Sequence, residues 1–180
     1  MMITIKGCFS IFFVCIGCMA IAQESYTISP ESVLTITGTS TVHDWEVTAN
    51  AIQGSIIANE KVISDLDIEV PVIEIKSERG AAMDDKMHVA LKSEQHPMVF
   101  FKFKELGQKG ALHGILMIAG VEQEIEVAGK FDASKDRIGV SGTHEIELAA
   151  FGMEPPTAMF GQIVVGDTVS VRFDLIFLKE

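Results

Sequence analysis

Hydrophobic and polar residues alternate along most of the chain after residue 23. In residues 121–131 the odd positions are mostly apolar and the even positions are mostly charged, and a similar alternation occupies residues 138–148 and 169–177. A period of two residues is typical of a β-strand with one buried face. The pattern therefore predicts antiparallel sheet with one face toward solvent.

The earlier part of the chain predicts further strands of the same kind. They are expected at residues 33–37, 45–51, 52–58, 66–75, 99–103 and 112–118. Within 66–75 the apolar phase switches near Val72, beside Pro71, which predicts a β-bulge. About eight or nine short strands joined by turns indicate a barrel or a sandwich.

One segment has a helical period instead. Between Gly80 and Pro97, the apolar residues Met83, Met87 and Leu91 recur every four positions. Acidic residues lie early in this segment and a basic residue lies late, as the helix dipole favours. The sequence predicts one short amphipathic helix, and it contains no internal repeat or linker that would divide the chain into two domains.

The N-terminus has the form of an export signal. Lys6 precedes an uncharged run over 7–22 that ends in Ala20-Ile21-Ala22, a small-x-small cleavage pattern. The run is shorter than the roughly 20 residues that a membrane-spanning helix needs. We predict a signal peptide at 1–22 and one mature domain at 23–180, located in the periplasm or secreted, without stable membrane insertion.

All three cysteines lie inside this predicted signal: Cys8, Cys15 and Cys18. Cleavage after Ala22 leaves a mature chain with no disulfide and no thiolate chemistry. An alternative is that Cys18 is lipidated after cleavage by a different peptidase, which would make the protein a membrane-anchored lipoprotein.

Composition excludes some partners and leaves little chemistry. The chain of 180 residues has a formal charge of -11 and 48% hydrophobic residues, so phosphate backbones would repel it and nucleic acid is not an expected partner. No nucleophile elbow, phosphate loop or dinucleotide fingerprint is present. Whether the chain forms a homodimer stays open.

The five histidines are scattered over different predicted elements and have no helical zinc spacing. No metal site or cofactor is therefore predicted. His144 shares the apolar phase of its strand, as a neutral interior histidine would. The enzyme alternative is a lipid-headgroup-modifying activity at the mouth of a barrel, with His88 or His96 as base and Asp84 or Asp85 nearby.

Three segments resemble a known family. They are MDDKMHVALKSEQHPMVFF at 83–101, LHGIL at 112–116 followed by Gly120-Val121, and Phe151-Gly152 followed by GDTVSV at 166–171. Their order and spacing are similar to those of YceI-like proteins over essentially the whole mature chain. The resemblance implies an exported, all-β, lipocalin-like antiparallel barrel of about eight strands. It also implies an apolar interior that holds a polyisoprenoid or similar lipid, with no catalytic residues.

Strand phase predicts which residues would face such a lumen. Glycines at inward phases would leave a channel, or would instead relieve strand bending at the corners of a barrel. The predicted ligand-binding residues of the apolar lumen are Val99, Phe101, Phe103, Leu112, Leu116, Val127, Gly129, Phe131, Val140, Gly142, Ile146, Val171 and Phe173. The residues predicted to form a lid or end closure are Met83, Met87, Met153, Met159 and Phe160. A solid interior plugged by the helix and the apolar connection 151–161 is the open alternative, and such a closed structural barrel would act through a protein partner.

Overall fold

The structure is a computed structural model that describes residues 24–59 and 62–179. The predicted signal peptide, all three cysteines and the lipidation alternative lie outside these residues. The strands are β1 Glu24–Ile28, β2 Val33–Ser40, β3 Trp45–Ala49, β4 Gln53–Ala58, β5 Ile63–Pro71, β6 Ile75–Lys76, β7 Met98–Leu106, β8 Leu112–Ile118, β9 Val121–Val127, β10 Gly129–Ala133, β11 Arg137–Glu147, β12 Thr157–Ala158 and β13 Ile163–Lys179. The helix α1 is Ala81–Ala90, and short 3-10 helices occupy Val72–Glu74, Gln108–Gly110 and Leu148–Phe151.

The strands form one antiparallel sheet that branches at β13. One path runs β6-β3-β2-β13-β1-β4-β5-β7-β8-β9, and β13 also pairs with β11, which pairs with β10. Within the described residues the path of paired strands thus ends at β6 and β9, and the branch ends at β10. The all-β antiparallel class with one helix is confirmed, whereas the closed barrel of about eight strands stays a prediction.

The bounds of a strand follow the alternation closely where the strand keeps the same partner strands along its length. The strand predicted at 112–118 has those bounds in β8. The strand predicted at 121–131 is divided at Ala128, because β9 pairs with β8 and β10 pairs with β11. The pairing of β1 with β4 and β13 was not predicted, since its five residues are too few to show a clear period.

The bulge predicted at Val72 is wrong. The strand β5 ends at Pro71, a 3-10 helix follows, and the chain continues as β6, which pairs with β3 rather than with the neighbours of β5. Pro71 has no N–H to continue the ladder, and the N–H of Val72 donates to the carbonyl oxygen of Pro97 at 2.8 Å. The phase switch in the sequence therefore marks a change of partner strand.

The predicted helix is present and shorter than the segment that indicated it. It ends where the N–H of Leu91 donates to the carbonyl oxygen of Met87 at 2.9 Å, and Lys92 then has a φ of 53°. Within residues 24–59 and 62–179, no helix has the length and apolar character needed to cross a membrane.

The interior is solid at the end of the sheet that contains the last residues of β13. Ile56, Ile138 and Phe177 are fully buried there, and Tyr26 is 2% exposed. Ile138 lies opposite Phe177 in the β11–β13 ladder, so the two side chains pack on the same face. This solid core closes one end of the interior and leaves the other end for a cavity.

An apolar cavity as the candidate functional site

A cavity of about 540 Å³ occupies the interior beyond the solid core. Its walls come from β2, β3, β5 to β9, β11 and β13, together with α1 and the connection after β11. From β13 it is lined by Val169, Val171, Phe173 and Leu175, the residues that share the inward phase of that strand. The volume lies within the range of sites that hold small molecules, roughly 300 to 1,000 Å³.

Nine of the thirteen predicted lumen residues border this cavity. They are Val99, Phe101, Leu112, Leu116, Val127, Val140, Ile146, Val171 and Phe173. Strand phase placed these side chains on the correct face of the sheet, so the structure brings them together. That they contact a ligand stays a prediction.

The other four predicted lumen residues lie elsewhere. Phe103 belongs to the buried core, and Phe131 packs against it. Gly129 and Gly142 face each other in the β10–β11 ladder and border a separate, more polar depression with Lys130. Strand phase selects a face of the sheet but not the position along the strand at which the interior changes from solid to hollow.

Three aromatic rings of the cavity wall each lie over a glycine. A side chain at Gly142 would place its Cβ 2.8 Å from the ring of Phe173, and one at Gly114 would lie 2.5 Å from the ring of Phe101. The ring of Trp45 covers Gly38 in the same way, and its Nε1 donates to the carbonyl oxygen of Thr39 at 3.0 Å. Gly142 was predicted to leave a channel directly. Instead, the rings lie against the wall where these glycines have no side chains.

Neighbouring residues complete the wall and were not predicted. Leu66, Ile68 and Val70 alternate along β5, and Trp45 and Val47 alternate along β3. Their period of two was visible in the sequence, although nothing there indicated which strands surround a cavity.

The residues predicted to close an end divide into two groups. Met83 and Met87 of α1 and the buried Met153 border the cavity. Met159 is 66% exposed and Phe160 is fully exposed, so neither covers the cavity in this structure. Of the segments predicted to close an end, the helix and the beginning of the connection after β11 therefore border the cavity.

Two side chains of α1 attach the helix to the strand β6. The carboxylate of Asp84, which is buried, accepts a hydrogen bond from the N–H of Ser77 at 2.8 Å and lies 3.8 Å from Nζ of Lys76. The Nε2 of His88 donates to the carbonyl oxygen of Ile75 at 3.0 Å. These bonds hold the apolar face of α1 over the cavity.

The residues of the enzyme alternative are not assembled into a site on the cavity. Asp84 and His88 bind backbone groups of β6 and the residue after it, Asp85 is exposed, and the His96 ring packs against Gly120 in the turn between β8 and β9. None of these four titratable side chains borders the cavity. In the part of the chain that the structure describes, no cluster of three or more His, Cys, Asp or Glu is placed to hold a metal ion.

His144 borders the cavity from β11, opposite Val171 in the ladder with β13. Burial lowers the pKa of His144 below its ordinary value of 6.5, and the nearby Glu145 carboxylate opposes this shift. The side chain therefore favours the neutral form at pH 7, which suits an apolar wall.

The charged residues of the cavity lie at its mouth, together with two other polar residues. Ser40, His43, Arg79, Lys86 and Glu154 border the cavity there. They come from the end of β2, the loop before β3, the loop into α1, the helix itself and the connection after β11. Sequence reasoning missed them because they belong to loops and to a helix that only tertiary contacts bring together.

A family model described as the YceI-like domain matches residues 26–177. The sequence matches no curated protein significantly. Solved structures share the fold at low identity. BcnA from Burkholderia cenocepacia is 15% identical, with a TM-score of 0.69 over 81% of this chain and 96% of that chain. A polyisoprenoid binding domain from Saccharophagus degradans, implicated in plant cell wall breakdown, is 14% identical, with a TM-score of 0.71 over 88% and 100%.

A YceI protein from Campylobacter jejuni is 15% identical, with a TM-score of 0.62 over 97% of this chain and 92% of that chain. The fold of these neighbours and the long match to the family model confirm the resemblance found in the sequence. The chain belongs to the YceI-like family.

Proposed function

We propose that this protein is a non-catalytic carrier or scavenger that holds a polyisoprenoid or similar long apolar chain in its cavity. The observation that carries the proposal is the cavity of about 540 Å³, enclosed by apolar side chains of a sheet and covered by Met83 and Met87. Each methylene group buried there would contribute about 0.8 kcal/mol, so a long chain would bind without a specific polar contact along its length. The polyisoprenoid binding domain with the same fold supports this class of ligand.

The enclosing wall is proposed to act as a lipocalin-like barrel. Residues of β9, β11 and β13 border the same cavity although no described ladder joins β9 to β11. The apolar chain would lie with its end toward the solid core and its other end at the mouth. A closed barrel that only binds a protein partner would need no such space.

Trp45 provides the test of binding. It is the only tryptophan of the chain, and its ring borders the cavity. A lipid that enters the cavity is expected to shift its fluorescence. Native mass spectrometry of protein purified gently from its own host should also show a co-purifying lipid, whereas a clean apo mass together with an unchanged Trp45 signal would contradict the proposal.

A cavity-filling variant supplies the matched control. Val171→Phe adds volume inside the cavity, while Arg172→Phe adds an aromatic ring at the next position of β13, on the exposed face. We expect Val171→Phe alone to weaken lipid binding. Equal affinities of the two folded variants would place the ligand elsewhere.

Export is part of the same proposal. Sequencing the mature N-terminus should find Gln23, as cleavage after Ala22 requires. A lipid-modified Cys18 would instead establish the membrane-anchored lipoprotein. The mature chain is proposed to work in the periplasm or outside the cell, with no stable membrane insertion.

A further inference from the structure

The mouth of the cavity is more basic than the protein as a whole. The chain has 14 Lys and Arg residues against 25 Asp and Glu residues. Among the described side chains that border the cavity, however, Arg79 and Lys86 are cationic, and Glu154 is the one carboxylate. The local charge is thus opposite in sign to the net charge.

Lys86 lies on the face of α1 that covers the cavity. It borders the cavity together with Met83 and Met87 on the same helix. Asp84 does not offset this charge at the cavity, because its carboxylate binds the N–H of Ser77 and does not border the cavity. The aliphatic stem of a lysine packs well on an apolar wall while its ammonium group stays at the opening.

Arg79 lies in the loop that leads into α1 and borders the same cavity as Lys86. Its Nη1 is 3.0 Å from Nδ1 of His43, and its Nη2 donates to the carbonyl oxygen of Asp44 at 3.2 Å. Neither contact is to a carboxylate. Across residues 24–59 and 62–179, no Asp or Glu lies within ion-pair distance of Arg79 or Lys86.

We infer that the mouth binds an anionic head group, a carboxylate or a phosphate monoester, at the end of the apolar chain, and that Arg79 and Lys86 hold it. The inference rests on the proposed function and narrows its ligand class. A guanidinium group donates two parallel hydrogen bonds to such an anion, and an ammonium group adds a point charge. Both side chains are exposed at the opening, so dissolved salt should screen their attraction for the head group.

Three ligands of equal chain length test the inference: hexadecanoic acid, hexadecyl phosphate and hexadecanol. Each is titrated against the fluorescence of Trp45 at neutral pH and low salt. We expect the two anions to bind on the order of tenfold more tightly than the alcohol, because hydrogen bonds to charged groups contribute more than neutral ones. The preference should decrease as salt is added.

Substitutions at the mouth test which side chains produce the preference for anionic ligands. Arg79→Gln and Lys86→Gln should each reduce the ratio of anion to alcohol affinity, and Glu154→Gln should raise it by removing a repulsive charge. Lys130→Gln removes an exposed lysine on β10, outside this cavity, and is the control for net charge. Thermal unfolding of each variant checks that the fold is intact.

The outcomes separate this inference from the proposed function. If none of the three ligands changes the Trp45 signal and the purified protein carries no lipid, the carrier proposal fails. If the alcohol binds as tightly as both anions, or if Lys130→Gln changes the ratio as much as Lys86→Gln, the carrier stands and the head-group site is overturned. Inorganic phosphate alone should not displace hexadecanol, and displacement would indicate a phosphate site independent of the lipid.

Discussion

The ring of Phe173 covers Gly142, its partner across the β11–β13 ladder. Because Gly142 has no side chain, the ring lies against the sheet while it also borders the cavity. The pair therefore determines how far an aromatic side chain projects into the space that a ligand would occupy.

Gly142→Ala should push the ring of Phe173 away from the wall. The added Cβ would lie 2.8 Å from the ring and 2.7 Å from the carbonyl oxygen of Ala128, so both must move. We expect a loss of about 1 to 3 kcal/mol in the free energy of unfolding, as for other overpacked sites, and weaker lipid binding. Urea denaturation and titration of Trp45 fluorescence measure the two effects.

Gly139→Ala is the matched control on the same strand. A Cβ there would have its nearest contact at 3.8 Å, with the carbonyl oxygen of Asp132, which is an ordinary van der Waals distance. Its stability and lipid affinity should stay close to those of the wild type. If both alanine variants behave alike, the ring of Phe173 does not set the width of the cavity.

Strand phase predicted which side of the sheet is apolar, and that part of the fold could be read from the sequence. Phe101 and Phe103 show what strand phase cannot predict. They have the same phase on β7, yet Phe101 borders the cavity and Phe103 lies in the solid core, because depth along the interior depends on which distant strands pack there. The charged residues at the mouth could not be predicted from the sequence either. Lys86 reaches the mouth because α1 packs on the sheet, where the hydrogen bond between Asp84 and Ser77 holds the helix.

Asp84→Ala tests the attachment of the helix. The half-buried N–H of Ser77 would lose its acceptor, and we expect a loss of about 1 kcal/mol, the low end of the cost of an unsatisfied buried donor. Asp85→Ala, one position along and exposed, should change the free energy of unfolding by less than about 0.5 kcal/mol. Chemical denaturation of both variants is the measurement, and equal losses would show that Asp84 does not anchor α1.

The pKa of His144 predicts a pH dependence of stability. Because burial lowers this pKa in the folded state, the unfolded chain takes up a proton near pH 6.5 while the folded chain stays neutral until a lower pH. The contribution of His144 to stability is therefore lost as the pH falls below about 6.5. Between pH 7.5 and 5.5, His144→Gln should lose less of its free energy of unfolding than the wild type, and parallel pH curves would contradict the assignment.

The size of the cavity predicts a limit on ligand length. A cavity of about 540 Å³ has room for a limited length of chain, and only the methylene groups that enter it leave water. Affinity for a series of straight-chain acids should rise by up to about fourfold per methylene and level off once the chain fills the cavity. Titration of Trp45 gives the affinities, and a series with no dependence on length would place the chain outside the cavity.

The two methionines of the connection after β11 should respond differently to truncation. Met153 is 6% exposed and packs with Phe151, whereas Met159 is 66% exposed. Met153→Ala should lower the free energy of unfolding by about 2 kcal/mol or more, since it removes buried apolar volume, and Met159→Ala should change it by less than about 0.5 kcal/mol. Urea denaturation without ligand measures both. If Met159→Ala were as destabilising as Met153→Ala, the segment around Met159 would have to pack against the domain, as the sequence had predicted for a lid.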